Sequence, residues 1–223
     1  MTTSAHPTPA RRPRRARTEK TRQVDPERSK AALLDAALEE FAAHGFAGAR
    51  VRDIAERAGV SKDLVNYYFD SKEGLYTAVQ RAWLDREDRF ADPGLPLAEL
   101  LVRYLHDALN DPRPMRLLAW RGLTTGPAEA PPDAAPAEDL TSTIRRQHAG
   151  ELAEDLDPAT IRLVLLAAVA APVVFPTMAA RLLGTDPGTP GFESRYAQGL
   201  RALVDHLAPS DHGSRRQTGS TDA

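Results

Sequence analysis

The spacing of the apolar residues limits the possible folds of this chain more than any other feature of its sequence. Apolar side chains recur every three or four positions in one segment after another, as at Leu97, Leu101 and Leu105. This is the period of an α-helix that buries one face, and no segment alternates apolar and polar residues as a half-buried strand does. We therefore predict an all-α fold.

Capping residues and glycines mark the limits of four helices in the first half of the chain. An Asp-Pro pair favours a helix start, because Asp caps the first free N–H groups and Pro fits the first helical position. Gly after the last apolar residue favours a helix end, and Ser61 stands where an N-cap is needed. The predicted helices comprise residues 26–44, 51–58, 62–68 and a long segment that begins after Asp70 or Ser71.

The same signals predict five more helices after residue 96. Two of them start at further Asp-Pro pairs, residues 111–112 and 157–158. The seventh helix is assigned an apolar face of Leu140, Ile144 and Leu152, which His148 interrupts. The fifth and ninth helices are centred on residues 97–109 and 196–207, and the Pro/Ala-rich segment 124–137 is predicted to be a loop.

Residues 163–180 form an uncharged stretch, LVLLAAVAAPVVFPTMAA. Its length suits a membrane helix, but Pro172 and Pro176 interrupt it and charged residues bracket it. We interpret it as a core or interface helix. A helix that is apolar nearly all round must be buried on more than one side, so we predict a homodimer through residues of about 158–208.

Several classes of function lack support in the sequence. The chain has 223 residues and no cysteine, which excludes disulfides and thiolate metal sites. The motifs of nucleotide-binding loops, zinc proteases and serine hydrolases are missing, and the six histidines are scattered without ligand spacing. We therefore predict no enzymatic activity, no metal site and no cofactor.

Charge is distributed unevenly along the chain. Residues 1–30 contain nine Lys or Arg and three acidic residues, whereas the whole chain has a net charge of −2. A basic segment on an acidic body indicates that the segment meets a polyanion, although a solvated tail is an alternative interpretation. We predict a disordered basic arm at residues 1–24 and a disordered tail at 209–223. The N-terminus lacks the apolar segment of a secretory signal, which favours a cytoplasmic location.

Two short predicted helices, residues 51–58 and 62–68, are separated by a turn that contains Gly59. This arrangement is typical of a helix-turn-helix, whose second helix binds in the DNA major groove. The helical period turns Val65 toward the core and leaves Lys62 and Asn66 on the opposite face, where their polar groups can bind base edges. The alternative is a helical hairpin with an amphipathic core and no DNA contact.

Three consecutive blocks carry a family resemblance, namely AALLDAALEEFAAHGF, VRDIAERAGVSK and YYFDSKEGLY. In this order and spacing they make residues 26–83 resemble the N-terminal domain of the TetR family of transcriptional regulators. The resemblance implies an N-terminal three-helix DNA-binding domain, a larger C-terminal helical ligand-binding domain, and a dimer interface built by the last two helices. It places the helix-turn-helix domain at residues 25–71 and the regulatory and dimerisation domain at residues 72–208.

The resemblance also implies which residues contact DNA. Base-reading positions correspond to Lys62, Asp63 and Asn66, and phosphate-binding positions to Tyr67, Tyr68 and Lys72. Two residues depart from the family pattern. Arg50 replaces a Thr or Ser and cannot cap the second helix, and Asp63 replaces a small residue and would repel phosphate unless it accepts from a cytosine amino group. The predicted DNA-binding set is Arg50, Ser61, Lys62, Asp63, Asn66, Tyr67, Tyr68 and Lys72.

Four side chains are candidates for lining a ligand cavity, with core packing as the alternative: Trp120, His148, Phe175 and Met178. The functional hypothesis is a homodimeric repressor that binds a palindromic operator in double-stranded DNA and is released from it by a small molecule. The alternative is a helical dimeric DNA-binding protein or activator that senses no small molecule.

Overall fold

The computed structural model of the protein describes residues 25–90, 92, 94–124 and 140–209, with the backbone alone for residues 87–90. The predicted basic arm, most of the predicted loop at 124–137 and the tail from residue 210 lie outside these ranges. Within them the chain is helical and has no strand, which confirms the predicted fold class. The helices are α1 (Pro26–Gly48), α2 (Val51–Ala58), α3 (Lys62–Phe69), α4 (Lys72–Phe90), α5 (Leu97–Asn110), α6 (Arg113–Thr124), α7 (Thr141–His148), α8 (Pro158–Val174), α9 (Pro176–Leu183) and α10 (Pro190–Leu207).

Helix α1 starts as predicted but does not end at residue 44. Asp25 caps it by accepting a hydrogen bond from the Glu27 N–H, and Pro26 occupies the first turn. Gly45 takes a non-helical conformation with φ 67° and ψ 174°, and the chain then resumes helix as far as Gly48. The glycine therefore kinks the helix rather than terminating it.

The N-terminal core is apolar and extends past the predicted domain boundary at residue 71. Leu33, Phe41, Ile54 and Val65 bring α1, α2 and α3 together without solvent exposure. Helix α4 adds Leu75 and Val79, and α6 adds Leu117, to the same cluster; these complete the core that holds α3.

A second core lies between α5, α8 and α10. Leu101, Leu165 and Val204 are buried in it, together with Met115 from α6. Because Met115 and Leu117 are two positions apart on one helix and belong to different cores, α6 lies between the N-terminal and C-terminal parts of the protein.

The uncharged segment is two helices rather than one. Helix α8 stops at Val174, and α9 continues at an angle of 92°. Pro172 removes a backbone donor inside α8 and Pro176 begins α9, which accounts for a break between them. Among the described residues no single helix meets the length and hydropathy of a membrane span, and only α8 and α9 taken together across this bend do so.

Helix α7 contradicts the predicted apolar face. Ile144 and His148 are exposed, Leu152 lies beyond the end of the helix, and the buried residues are Thr143, Arg146 and Gln147. The reason is that the polar side chains have partners. Arg146 donates to both carboxylate oxygens of Glu151 and to the Leu95 carbonyl, and Gln147 Nε2 donates to the carbonyls of Ala153 and Leu156.

Candidate nucleic-acid interface

The turn between α2 and α3 has a defined geometry. Gly59 ends α2 with φ 67° and ψ 29°, a left-handed conformation that glycine adopts without strain. The N–H of Val60 donates to the Ala55 carbonyl at 3.1 Å, which closes the end of α2. Helix α3 therefore leaves the turn in a fixed direction relative to α2.

The inner face of α3 holds the helix on the N-terminal core. Val65 and Phe69 are buried, and Ile54 and Ala55 of α2 belong to the same cluster. Tyr68 is half-buried beside this cluster, and its ring meets Phe69 edge-on at 6.2 Å between centroids. This packing determines which residues of α3 are left on the outside.

The outer face of α3 consists of exposed polar residues. Lys62, Asp63 and Asn66 are all exposed, and Tyr67 is 77% exposed with its ring edge-on to Tyr68 at 5.1 Å. Ser61 occupies the N-cap position as predicted, but its hydroxyl makes no capping hydrogen bond. The face thus presents an ammonium group, a carboxylate, an amide and two hydroxyl groups to a partner.

Arg50 and Lys72 flank this face in different ways. Arg50 is exposed at the N-cap of α2 and makes no side-chain capping bond, in agreement with the expectation from the sequence. Lys72 is half-buried, with its Nζ 4.7 Å from the centroid of Phe46 and 3.5 Å from the Ala47 carbonyl. The Lys72 ammonium must share or leave its contacts with α1 to bind a phosphate.

The start of α4 is capped by Ser71, one of the two predicted caps. Its hydroxyl accepts a hydrogen bond from the Gly74 N–H at 3.1 Å.

The four candidate ligand residues do not lie together. Trp120 packs on Gly45 of α1 and donates its indole N–H to the Ala42 carbonyl at 3.2 Å. His148 is exposed and lines a cavity of ≈ 620 Å³ near the end of α10. Phe175 and Met178 are exposed at the α8–α9 bend and on α9. Trp120 therefore joins α6 to the kink of α1.

A charged network around Arg113 at the start of α6 was not predicted from the sequence. Its guanidinium binds Asp111 through Nε and Nη2 and reaches Asp35 of α1 through Nη1. Arg86 of α4 pairs with Asp107 and lies 3.5 Å from Asp111. Hydrogen bonds from Arg113 hold the pKa of Asp111 below its ordinary value of 3.8. The network joins α1, α4, α5 and α6, and its links from Arg113 to α1 and from Arg86 to α5 connect residues far apart in the sequence, so residue spacing gave no signal for them.

A cavity of ≈ 460 Å³ was also missed. It lies between the end of α5, the start of α6, α8 and α9, and Arg116 and Asp186 are the charged residues that line it. The one sequence signal that could have located it is the pair Pro172 and Pro176, because these prolines mark the bend that forms one of its walls.

Comparisons with known proteins agree with this geometry. The family model described as "Bacterial regulatory proteins, tetR family" matches residues 33–79, which span most of α1, all of α2 and α3, and the start of α4. The HTH-type transcriptional repressor SCO4008 of Streptomyces coelicolor is 34% identical over 187 residues, covering 81% of this chain and 97% of that protein. The HTH-type transcriptional regulator RutR of Escherichia coli is 41% identical over 105 residues, covering 44% of this chain and 50% of that protein.

The crystal structure of SCO4942 from Streptomyces coelicolor superposes with a TM-score of 0.65 at 28% identity, and the match covers 81% of this chain and 98% of that one. The relatives are transcriptional regulators and not enzymes, which confirms the prediction that this chain has no enzymatic activity. The chain belongs to the TetR family of bacterial transcriptional regulators.

Proposed function

We propose that this protein is a cytoplasmic homodimeric repressor that binds a palindromic operator through α3 and leaves it when a small molecule binds the C-terminal helices. The observation that carries the proposal is the division of α3 into two faces. Val65 and Phe69 are buried, while Lys62, Asn66 and Tyr67 are exposed on a helix of a width that fits the major groove.

The exposed side chains of α3 suit two kinds of contact. The amide of Asn66 can pair with adenine and the ammonium of Lys62 with guanine, so these residues can read sequence. Tyr67 and Tyr68 can donate their hydroxyl groups to phosphate, and Arg50 and Lys72 can neutralise phosphate charge. Asp63 can take part where a cytosine amino group faces it. The basic arm, outside the described residues, is proposed to add sequence-independent affinity.

The dimer is supported by apolar surface on α8 and α10. Leu163 is 67% exposed and Leu203 is 40% exposed, and Val164 and Leu166 are also exposed on α8. Helix α8 packs its other face, including Leu165 and Val169, in the C-terminal core. An exposed apolar face of this kind on two neighbouring helices favours a symmetric interface with a second copy of the chain.

Selection of operators from random DNA with the full chain tests the proposal. A homodimer should select two inverted half-sites at a fixed spacing, since the symmetry of the protein is imposed on its site. Selection of a single unrepeated half-site, or of no sequence, would reject the operator and its palindromic form. Loss of the selected complex when α3 is altered would then connect the sequence to the reading helix.

The alternative, a DNA-binding protein or activator that senses no small molecule, shares every feature of α3. A reporter gene under the selected operator distinguishes a repressor from an activator. Deletion of the regulator should raise expression if it is a repressor and lower it if it is an activator. The cavity beside α6 favours ligand control.

A further inference from the structure

The bend between α8 and α9 creates a cavity of ≈ 460 Å³ in the C-terminal part of the protein. Its volume is within the range of small-molecule sites. Pro172 and Val173 of α8 form one wall, and Pro176, Thr177 and Ala180 of α9 form another. Pro112 of the turn between α5 and α6 and Arg116 of α6 line a third side.

The lining of this cavity is mostly apolar and includes one unpaired cation, Arg116. Arg116 forms no ion pair with any described residue, whereas Arg86, Arg113 and Arg146 each bind a carboxylate. Asp186 is the other charged residue of the lining, and its Oδ1 accepts from the Gly188 N–H at 2.8 Å. A ligand that fills the cavity can bind Arg116 with one anionic group, but a second anionic group would meet the carboxylate of Asp186.

We propose that this cavity is the effector site and that the effector is a small organic monoanion with an apolar body, its anionic group bound by Arg116. This inference rests on the proposed function, because it names the site and the chemical class of the small molecule that releases the protein from DNA. A ligand of this class needs an unpaired guanidinium beside apolar walls, and the described residues provide that arrangement.

The same helix offers a route from the cavity to the DNA-binding part. Arg113 is three residues before Arg116 on α6 and binds Asp35 of α1 at 2.9 Å. Two turns further along α6, Trp120 donates to the Ala42 carbonyl at the kink of α1. A ligand that moves Arg116 therefore acts on a helix that contacts α1 at two points, and α1 belongs to the core that holds α3.

The test uses 8-anilinonaphthalene-1-sulfonate, a fluorescent aromatic monoanion, with the full chain and no DNA. Arg116→Gln should weaken its binding about tenfold or more, because a charge-assisted hydrogen bond is lost. Thr177→Trp should weaken it similarly by filling the cavity from the exposed side of α9. Arg181→Gln, which also removes one positive charge but from outside the lining of the cavity, should leave the affinity unchanged.

Competition defines the ligand class. Octanoate should displace the dye at lower concentration than octanol or the dianion suberate, and this advantage should disappear in Arg116→Gln. Equal dye affinity in all four proteins would overturn the site, and equal displacement by the three competitors would overturn the monoanion. Binding of Arg116→Gln to the selected operator without any ligand is measured in parallel. If operator binding is intact but the dye binds all four proteins with equal affinity, this inference alone is contradicted. Failure of the parent chain to bind DNA contradicts the proposed function.

Discussion

The guanidinium of Arg113 in α6 donates a hydrogen bond to the carboxylate of Asp35 in α1, with Nη1 and Oδ1 2.9 Å apart. The two residues are far apart in the sequence and belong to the C-terminal and N-terminal parts of the protein. Asp35 is 70% exposed, so water screens its side of the pair. Arg113 is less exposed and also binds Asp111 through two nitrogen atoms.

We expect these two partners of Arg113 to contribute unequally to stability. Asp35→Asn should lower the free energy of unfolding by about 0.5 kcal/mol, and Arg113→Gln by about 1–2 kcal/mol, since the latter also leaves Asp111 without its main partner. Urea denaturation of both variants and of the double variant gives the coupling free energy between Asp35 and Arg113. Because Arg113 lowers the pKa of Asp111, the loss in Arg113→Gln should be full above the ordinary value of 3.8 and shrink as the pH falls through the lowered pKa. Equal losses for the two single variants would contradict this ranking.

The ion pair between the buried Arg146 and the half-buried Glu151 should matter more than an exposed pair of the same residue types. The Arg146 side chain is 4% exposed, and Glu151 also accepts from the Leu97 N–H at the start of α5. Glu151→Ala should lower the free energy of unfolding by about 3–5 kcal/mol, because it leaves a buried guanidinium without its counter-charge.

Glu99→Ala is the matched control, since it removes the carboxylate partner of the exposed Arg201. That change should have little effect on the urea midpoint. Similar shifts of the midpoint for the two alanine variants would show that burial does not decide the contribution of these pairs.

Tyr196 compensates for a proline inside α8. Pro172 cannot donate to the Ala168 carbonyl, and the Tyr196 hydroxyl donates to that carbonyl at 2.7 Å instead. Tyr196→Phe should lower the free energy of unfolding by about 1–3 kcal/mol, because a partly buried acceptor is left without a donor. In a Pro172→Ala background the same change should have a smaller effect, since position 172 then carries an N–H. An unchanged effect of Tyr196→Phe in that background would argue against the exchange of donors.

The proposed dimer can be tested at two exposed leucines. Leu163→Glu combined with Leu203→Glu should give monomers at micromolar concentration by analytical ultracentrifugation, together with weak operator binding. Leu207 is a less suitable site, because it packs against the C-terminal core of its own chain. Leu123→Glu is the control, since this residue is 83% exposed on α6. A dimer that survives the double change would place the interface elsewhere.

Local signals predicted most of the helices, and tertiary contacts explain the errors. Asp25, Pro26 and Gly59 act within a few residues of chain, so the starts of α1 and the end of α2 could be read from the sequence. The burial of Arg146 in α7 depends on Glu151 and on the Leu95 carbonyl, neither of which belongs to that helix. The period of the apolar residues carries no information about such partners, so the prediction assigned the wrong buried face to α7.

The candidate DNA interface was more predictable than the C-terminal cavity. Burial of Val65 and Phe69 determines the outer face of α3, and both follow from the helical period. The sequence left open whether the ligand candidates line a cavity or fill the core, and one of them, Trp120, packs on the kink at Gly45. That contact joins residues 75 positions apart, so no local pattern could have indicated it.

The outer face of α3 should separate sequence reading from phosphate binding. Lys72→Ala should weaken binding about equally on operator and random DNA and reduce the salt dependence by roughly one counterion per subunit. Its contacts with Phe46 and the Ala47 carbonyl hold it at the edge of this face. A loss confined to the operator would contradict its role as a phosphate contact.

The most direct test of the account is the base-preference profile of Asn66→Ala, obtained by selection from random DNA beside the parent protein. Asn66 is exposed one helical turn after Lys62, so its removal should lose one specific contact per half-site. We predict a loss of about 1–3 kcal/mol in binding free energy on the operator, a relaxed preference at one base pair in each half-site, and almost unchanged binding to random DNA. A profile identical to that of the parent at every position would contradict the account, because α3 would then have to meet the groove through another face.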